Sequence, residues 1–103
     1  MNKHDWNKQA ATAYPALFAA HEAMEAAQKL FTAELANTFK PGTSVRVRHY
    51  SGEYLGTVER VSKHRGEQQV YVRNARTGKV TARYPLLDVD GGLSIEIVEA
   101  DHD

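Results

Sequence analysis

The chain has no cysteine. Disulfides, thiolate zinc sites, iron–sulfur clusters and cysteine nucleophiles are thereby excluded. It has no excess charge of either sign, thirteen Lys and Arg balancing thirteen Asp and Glu. No apolar run approaches the roughly 20 residues of a membrane span, and the N-terminus lacks the pattern of a secretory signal. The expectation is a cytoplasmic protein with no membrane partner. Phosphate-cradling Gly-x-x-x-x-Gly-Lys and the Gly-x-Ser-x-Gly nucleophile elbow are absent. The five histidines, His4, His21, His49, His64 and His102, show no metal-ligand spacing. Asp88-Val89-Asp90-Gly91-Gly92 lacks the third acidic position and the bidentate Glu of a calcium loop, and reads as a turn. No cofactor, metal or enzymatic activity is expected. What is present is ordinary for a globular chain: 103 residues, 42% apolar and 25% charged, enough for one small domain with an appended helix.

Two halves follow different rules. Residues 1–40 hold eleven alanines and neither glycine nor arginine, whereas residues 41–103 hold all seven glycines and all seven arginines. The boundary falls at Lys40-Pro41-Gly42, because proline disfavours helix at the residue before it and glycine suits a turn. In the first half Ala10, Tyr14, Leu17, His21, Met24, Gln28, Phe31 and Leu35 recur in steps of three and four, a near-heptad helical stripe. Phe18, Leu30 and Phe39 widen it. Pro15 belongs in a first turn, so the main helix is predicted from about Pro15 to about Phe39, with Thr12 as cap and Trp6 to Ala13 as a separate short helix or kinked extension. At 1.5 Å per residue such a helix is about 37 Å long, and part of its stripe should overhang any small partner domain.

In the second half the period is two. Val45 and Val47, Val70 and Val72, Val80, Ala82 and Tyr84, and Leu93, Ile95 and Ile97 each alternate with polar residues, as half-buried strands do. A strand over about Leu55 to Lys63 has Val58 and Val61 three apart, which predicts a bend or bulge between them. Arg76-Thr77-Gly78 reads as a three-residue hairpin loop with Gly78 left-handed. That register sets Ala75 against Lys79, Val72 against Ala82 and Val70 against Tyr84 on the apolar face.

Pro41-Gly42-Thr43-Ser44-Val45-Arg46-Val47, followed by Gly52-Glu53-Tyr54-Leu55-Gly56-Thr57-Val58-Glu59-Arg60-Val61, resembles the opening of SH3-like barrels of the KOW and Tudor type. The resemblance covers residues of about 41–99. It implies a five-stranded SH3-like β-barrel; with the periodic helical segment, which it does not cover, the expectation is an α+β chain of a long N-terminal α-helix, residues 1–40, followed by that barrel with an acidic tail, residues 41–103. It also implies a short 3₁₀ turn before the last strand, for which Pro85 to Asp88 is available. Such barrels serve RNA, DNA, peptide and methyl-lysine binding alike, so fold is implied more strongly than activity.

Charge is neutral overall but segregated. Ser44 to Tyr84 carries nine Lys and Arg against three Glu, and Pro85 to Asp103 carries six acidic residues and no basic one. Arg46, Arg48, Arg73 and Arg83 share the predicted outward parity. Arg60, Lys63 and Arg65 gather at the end of the second strand, with Tyr54 and Tyr71 among them. Guanidinium groups grip phosphate and aromatic rings stack bases, so this set points to RNA or DNA. The other reading pairs these arginines with Glu59, Glu67, Glu96 or the acidic tail of Asp88, Asp90, Glu99, Asp101 and Asp103. The helix stripe of Tyr14, Leu17, His21, Met24, Phe31 and Leu35 offers three roles: core for its own barrel, a homodimer seam, or a dock for another protein. A non-enzymatic nucleic-acid binder is the leading expectation. The alternative is a protein-interaction module, an adaptor or an inhibitor of a larger complex.

Overall fold

The computed structural model describes residues 3–64 and 66–98. Two helices, α1 (Lys3–Ala13) and α2 (Pro15–Thr38), precede seven strands: β1 (Ser44–His49), β2 (Gly52–Val61), β3 (Val70–Asn74), β4 (Val80–Arg83), β5 (Asp88–Val89), β6 (Gly92–Leu93) and β7 (Ile95–Ile97). The chain is α+β. Five strands form an antiparallel sheet in the order β4-β3-β2-β1-β7, and β5 and β6 form a separate small hairpin.

Alanine-rich sequence makes both helices, and Pro15 decides where they part. Proline pushes the residue before it out of the α region. Tyr14 has φ −138° and ψ 70°, Pro15 occupies the first turn of α2, and no side chain caps that end. Thr12 is therefore not the cap; its hydroxyl donates to the Lys8 carbonyl at 2.9 Å. On one straight helix Trp6 and Phe18 would stand about 18 Å apart. Their ring centroids are 6.4 Å apart, and Trp6 and His21 are 6.3 Å apart, so the helices fold back on each other at Tyr14.

The switch at Lys40-Pro41-Gly42 is real. Gly42 has φ +91°, and its N–H donates to the Val58 carbonyl at 2.9 Å, which ties the connection to β2. Alternation then builds the sheet. Val45, Val47, Val58, Val70, Val72 and Ile95 are buried on one face, and Leu35 of α2 and Phe39 just after it close over them. The bend expected in β2 is present, as an irregularity of register between Val58 and Arg60. Gly56 is needed where β2 crosses β3, because a Cβ there would lie 2.5 Å from the Arg73 carbonyl oxygen.

Four expectations need correction. The sheet is not a closed barrel: β7 pairs with β1 alone, β4 and β7 are its edges, and the end of α2 fills the open side. Pro85 and Leu86 form a turn, not a 3₁₀ helix. The last strand is interrupted at Ser94, which is 1% exposed, while Leu93 beside it is 53% exposed. The Ser94 hydroxyl donates to the Tyr84 carbonyl at 2.8 Å and accepts from the Leu87 N–H at 3.3 Å, so hydrogen bonding overrides the apolar alternation. Finally, the β3–β4 hairpin is one residue out of the predicted register. Val70 faces Arg83, Tyr71 faces Ala82 and Val72 faces Thr81.

The reason for that shift lies in the turn. The Asn74 side-chain oxygen accepts from the N–H groups of Arg76 and Thr77, at 2.8 and 3.2 Å. The Ala75 N–H donates to Leu55 of β2, and the Asn74 N–H donates to Lys79. The loop thus holds Ala75 to Gly78, with Gly78 left-handed at φ +76°. A one-residue slip turns every side chain of a strand to the other face.

The molecule is long for its size. Its radius of gyration is 18.3 Å and its extents are 58 × 26 × 25 Å. A compact domain of this length would have a radius of about 13 Å. The excess is the helical arm: only the end of α2, from Phe31 onward, packs on the sheet core.

Candidate functional site

Two surfaces hold the candidate residues: the outer face of the sheet and the helical arm. The outer face gathers five of the expected set. Arg46 and Arg48 come from β1, Arg60 from β2, and Tyr71 and Arg73 from β3, as the pairing of Thr57 with Arg73 and of Arg60 with Tyr71 requires. Lys63 is exposed just beyond β2. Arg65 lies outside the described residues, as do the tail residues Glu99, Asp101 and Asp103.

Two members are on the other face. The register shift carries Arg83 inward opposite Val70, where its Nε is enclosed and makes no hydrogen bond among the described residues. Tyr54 pairs with Val47, packs on the core, and its hydroxyl meets that of Thr81 at 2.9 Å. Neither joins a shared cationic surface with Arg46 and Arg48.

The arginines that do face outward are largely neutralised. Arg46 and Arg48 alternate with two carboxylates in a ladder. Arg46 Nε is 3.9 Å from Glu53 Oε1, and its Nη1 is 3.3 Å from Glu96 Oε1. Arg48 Nε is 3.4 Å from Glu53 Oε2, and its Nη1 is 2.9 Å from Glu96 Oε2. The Arg48 hydrogen bond, then its charge, holds the Glu96 carboxyl below its ordinary value of 4.5. Glu96 in turn raises Arg48 by the same hydrogen bond and charge. Arg73 pairs with Glu59, beside the bulge, and donates from Nη1 to the Gly78 carbonyl at 2.8 Å. The Tyr71 hydroxyl donates to Glu67 at 3.3 Å. The Arg60 guanidinium carbon lies over the Tyr71 ring, 3.8 Å from its centroid, and so covers one face on which a base could stack.

Glu53 is the member that sequence reasoning missed. Its signal was modest: it stands opposite Arg48 once Tyr50-Ser51 is taken as the hairpin turn and Gly52 as the partner of His49. Of the expected arginine partners, Glu59 and Glu96 pair with Arg73 and Arg46, whereas Glu67 accepts from Tyr71 instead.

Between the β1–β2 turn and the β5–β6 turn lies a polar cleft of about 600 Å³ that Arg48, Glu53, Asp90 and Glu96 share. Ser51 Oγ lies 2.8 Å from His49 Nδ1 there, a contact within one exposed turn, and among the described residues no carboxylate orients His49. No three acidic or histidine side chains among the described residues stand close enough to hold a metal ion. Among the described residues no helix is long and apolar enough to cross a membrane.

The arm presents different chemistry. The predicted stripe is divided. Leu35 is buried in the chain's own core, and Phe31 packs against that core, its ring stacked on Tyr84 at 6.0 Å. His21 turns toward α1, within 6.3 Å of both Trp6 and Phe18, with its Nε2 at 3.0 Å from Glu25. Tyr14, Leu17 and Met24 are exposed, Leu17 at 68%, and Trp6 and Leu30 add to them. Trp6, Tyr14, Leu17, Ala20 and Met24 line one groove of about 550 Å³. The chain matches no protein-family profile, no curated protein and no solved structure.

Proposed function

We propose that this chain is a non-enzymatic protein-interaction module that works through its helical arm, with an open SH3-like sheet as its scaffold. The observation that carries the reading is the contrast between the two surfaces. The arm leaves Trp6, Tyr14, Leu17 and Met24 exposed along one groove beyond the reach of the sheet, whereas Arg46, Arg48 and Arg73 are already paired within the chain. Contiguous exposed apolar surface marks a contact site in soluble proteins. Paired guanidinium groups must give up carboxylates before they can release counterions from phosphate. The module then acts as an adaptor or as an inhibitor of a larger assembly. The SH3-like assignment is supported by five short strands in hairpin order, a last strand returned beside the first, and the Pro41-Gly42 opening at the turn before β1.

Nucleic acid is the second reading, reduced in extent. Arg60 and Lys63 have no carboxylate partner among the described residues, and Arg60 already lies on Tyr71. Two measurements separate the readings. A photo-cross-linking residue at Met24 is expected to yield nuclease-resistant protein adducts in cells, and the same residue at Arg46 is expected to yield none. Mixed-sequence oligonucleotides are expected to show no salt-dependent binding at low ionic strength. Salt-dependent binding that Arg60→Ala with Lys63→Ala abolishes, together with silence at Met24, would overturn the proposal in favour of nucleic acid.

A further inference from the structure

We propose that the occupant of the arm is a second copy of this chain, the two arms packing antiparallel into one four-helix bundle with the sheets at opposite ends. This rests on the docking-surface reading above and names the partner.

The first argument is stability. Neither α1 nor α2 before Leu35 has a fully buried apolar residue, yet helices of this length draw most of their stability from packing. The second is area. Four large apolar side chains of that groove, Trp6, Tyr14, Leu17 and Met24, each half to two-thirds exposed, amount to roughly 500 Å² per copy when a large aromatic offers about 150–250 Å². A standard interface needs about 800 Å² from each partner, so these four side chains supply the greater part of one. The third is charge. At 3.6 residues per turn Glu22 and Lys29 fall on the side of α2 opposite Leu17, Ala20 and Met24. A seam without charge suits a partner without charge, and this chain carries one.

The fourth argument is shape. The exposed seam of α2 alternates large and small residues as Leu17, Ala20, Met24 and Ala27. A two-fold axis level with Glu22 sets Leu17 against the partner's Ala27 and Met24 against the partner's Ala20. Every large side chain of the seam then meets an alanine, which lets the helices approach closely, and one patch serves both copies as an isologous contact must. The sheets do not obstruct this, because each packs only on the far end of its own α2.

The absence of cysteine makes the register testable. Native full-length chain is expected to sediment with the mass of two chains, and Leu17→Glu with Met24→Glu with the mass of one, its strand circular dichroism retained. Mixing a Leu17→Cys chain with an Ala27→Cys chain and oxidising is expected to give a covalent pair. Either chain oxidised alone is expected to give none, because like positions lie about 15 Å apart along the bundle. Each single-cysteine chain linking to itself would overturn the antiparallel register. A native chain that stays monomeric to its solubility limit overturns the second-copy proposal. In that case adducts to a different protein from the Met24 cross-linker keep the docking reading, and their absence removes both.

Discussion

The ladder of Arg46, Glu53, Arg48 and Glu96 makes a quantitative prediction about phosphate. Its four N–O separations run from 2.9 to 3.9 Å, so two positive and two negative groups cancel on one patch of sheet. Replacing Glu53 and Glu96 together by Gln keeps the shape and unmasks two guanidinium charges. Each phosphate neutralised steepens the logarithmic salt dependence of binding by about 0.9 for duplex DNA and about 0.7 for single strands. Two freed charges should therefore add about 1.8 to the duplex slope, close to a tenfold greater loss of affinity between ~50 and 200 mM salt. Half-exposed ion pairs contribute little to folding, so the thermal midpoint should shift only slightly. Fluorescence anisotropy of a labelled mixed-sequence duplex across a salt series reads the slope directly. A native chain that already binds steeply, with the Gln variant no steeper, would refute the claim that these carboxylates mask the face.

Gly56→Ala places a methyl 2.5 Å from the Arg73 carbonyl oxygen and 2.7 Å from a Val72 methyl, and backbone cannot retreat as a flexible side chain can. The expected cost is about 2–3 kcal/mol, a fall in melting midpoint of ~10 °C or more, while Gly66→Ala, which meets nothing within 4 Å, serves as the near-neutral control in the same melt. Ser94→Ala strands the Tyr84 carbonyl and the Leu87 N–H in a buried site, and about 1–3 kcal/mol of stability should be lost in urea titration with the slope unchanged. Glu96 is held below 4.5 by Arg48, so its contribution to stability is complete above 4.5 and disappears as pH falls through the lower folded value. Carboxyl-detected NMR should find that value below 4.5 in the native chain and returned toward 4.5 in Arg48→Met.

Local rules were enough wherever one residue sets the backbone. Pro15 parted the helices at Tyr14, Gly42 turned the chain into β1, and the three-residue spacing of Val58 and Val61 announced the irregularity in β2. The β3–β4 register was not local in that sense. Apolar alternation and the Thr77-Gly78 turn agreed on one answer, and both were overruled by the Asn74 side chain and by the Ala75 N–H, whose acceptor is Leu55 on another strand. Asn followed three residues later by Thr was a readable signal for a side-chain-capped turn. That single step moved Arg83 off the outward face. The charge mask was harder to see, because Glu96 reaches Arg46 only through the pairing of the last strand with the first.

The helix shows a different limit, since its stripe repeats with one period while its parts meet different surroundings. Length alone predicted an overhang, for a rod of about 37 Å cannot be covered by so small a sheet. Periodicity could not say which end is covered, because core and interface seams have the same spacing. Residue size carries the missing information. Phe31, Leu35 and Phe39 are bulky without interruption and enter the sheet core, whereas Leu17 and Met24 are separated by Ala20 and followed by Ala27. Uninterrupted bulk fills a concave sheet, and alternating bulk fits another helix with the same alternation. If that distinction holds, moving the bulk should move the contact. Ala20→Leu with Ala27→Leu leaves the sheet contact of Phe31 and Leu35 untouched. It crowds the seam, and should weaken self-association in sedimentation while the sheet melts at its native midpoint. Unchanged association in that variant would mean that the arms do not meet along α2.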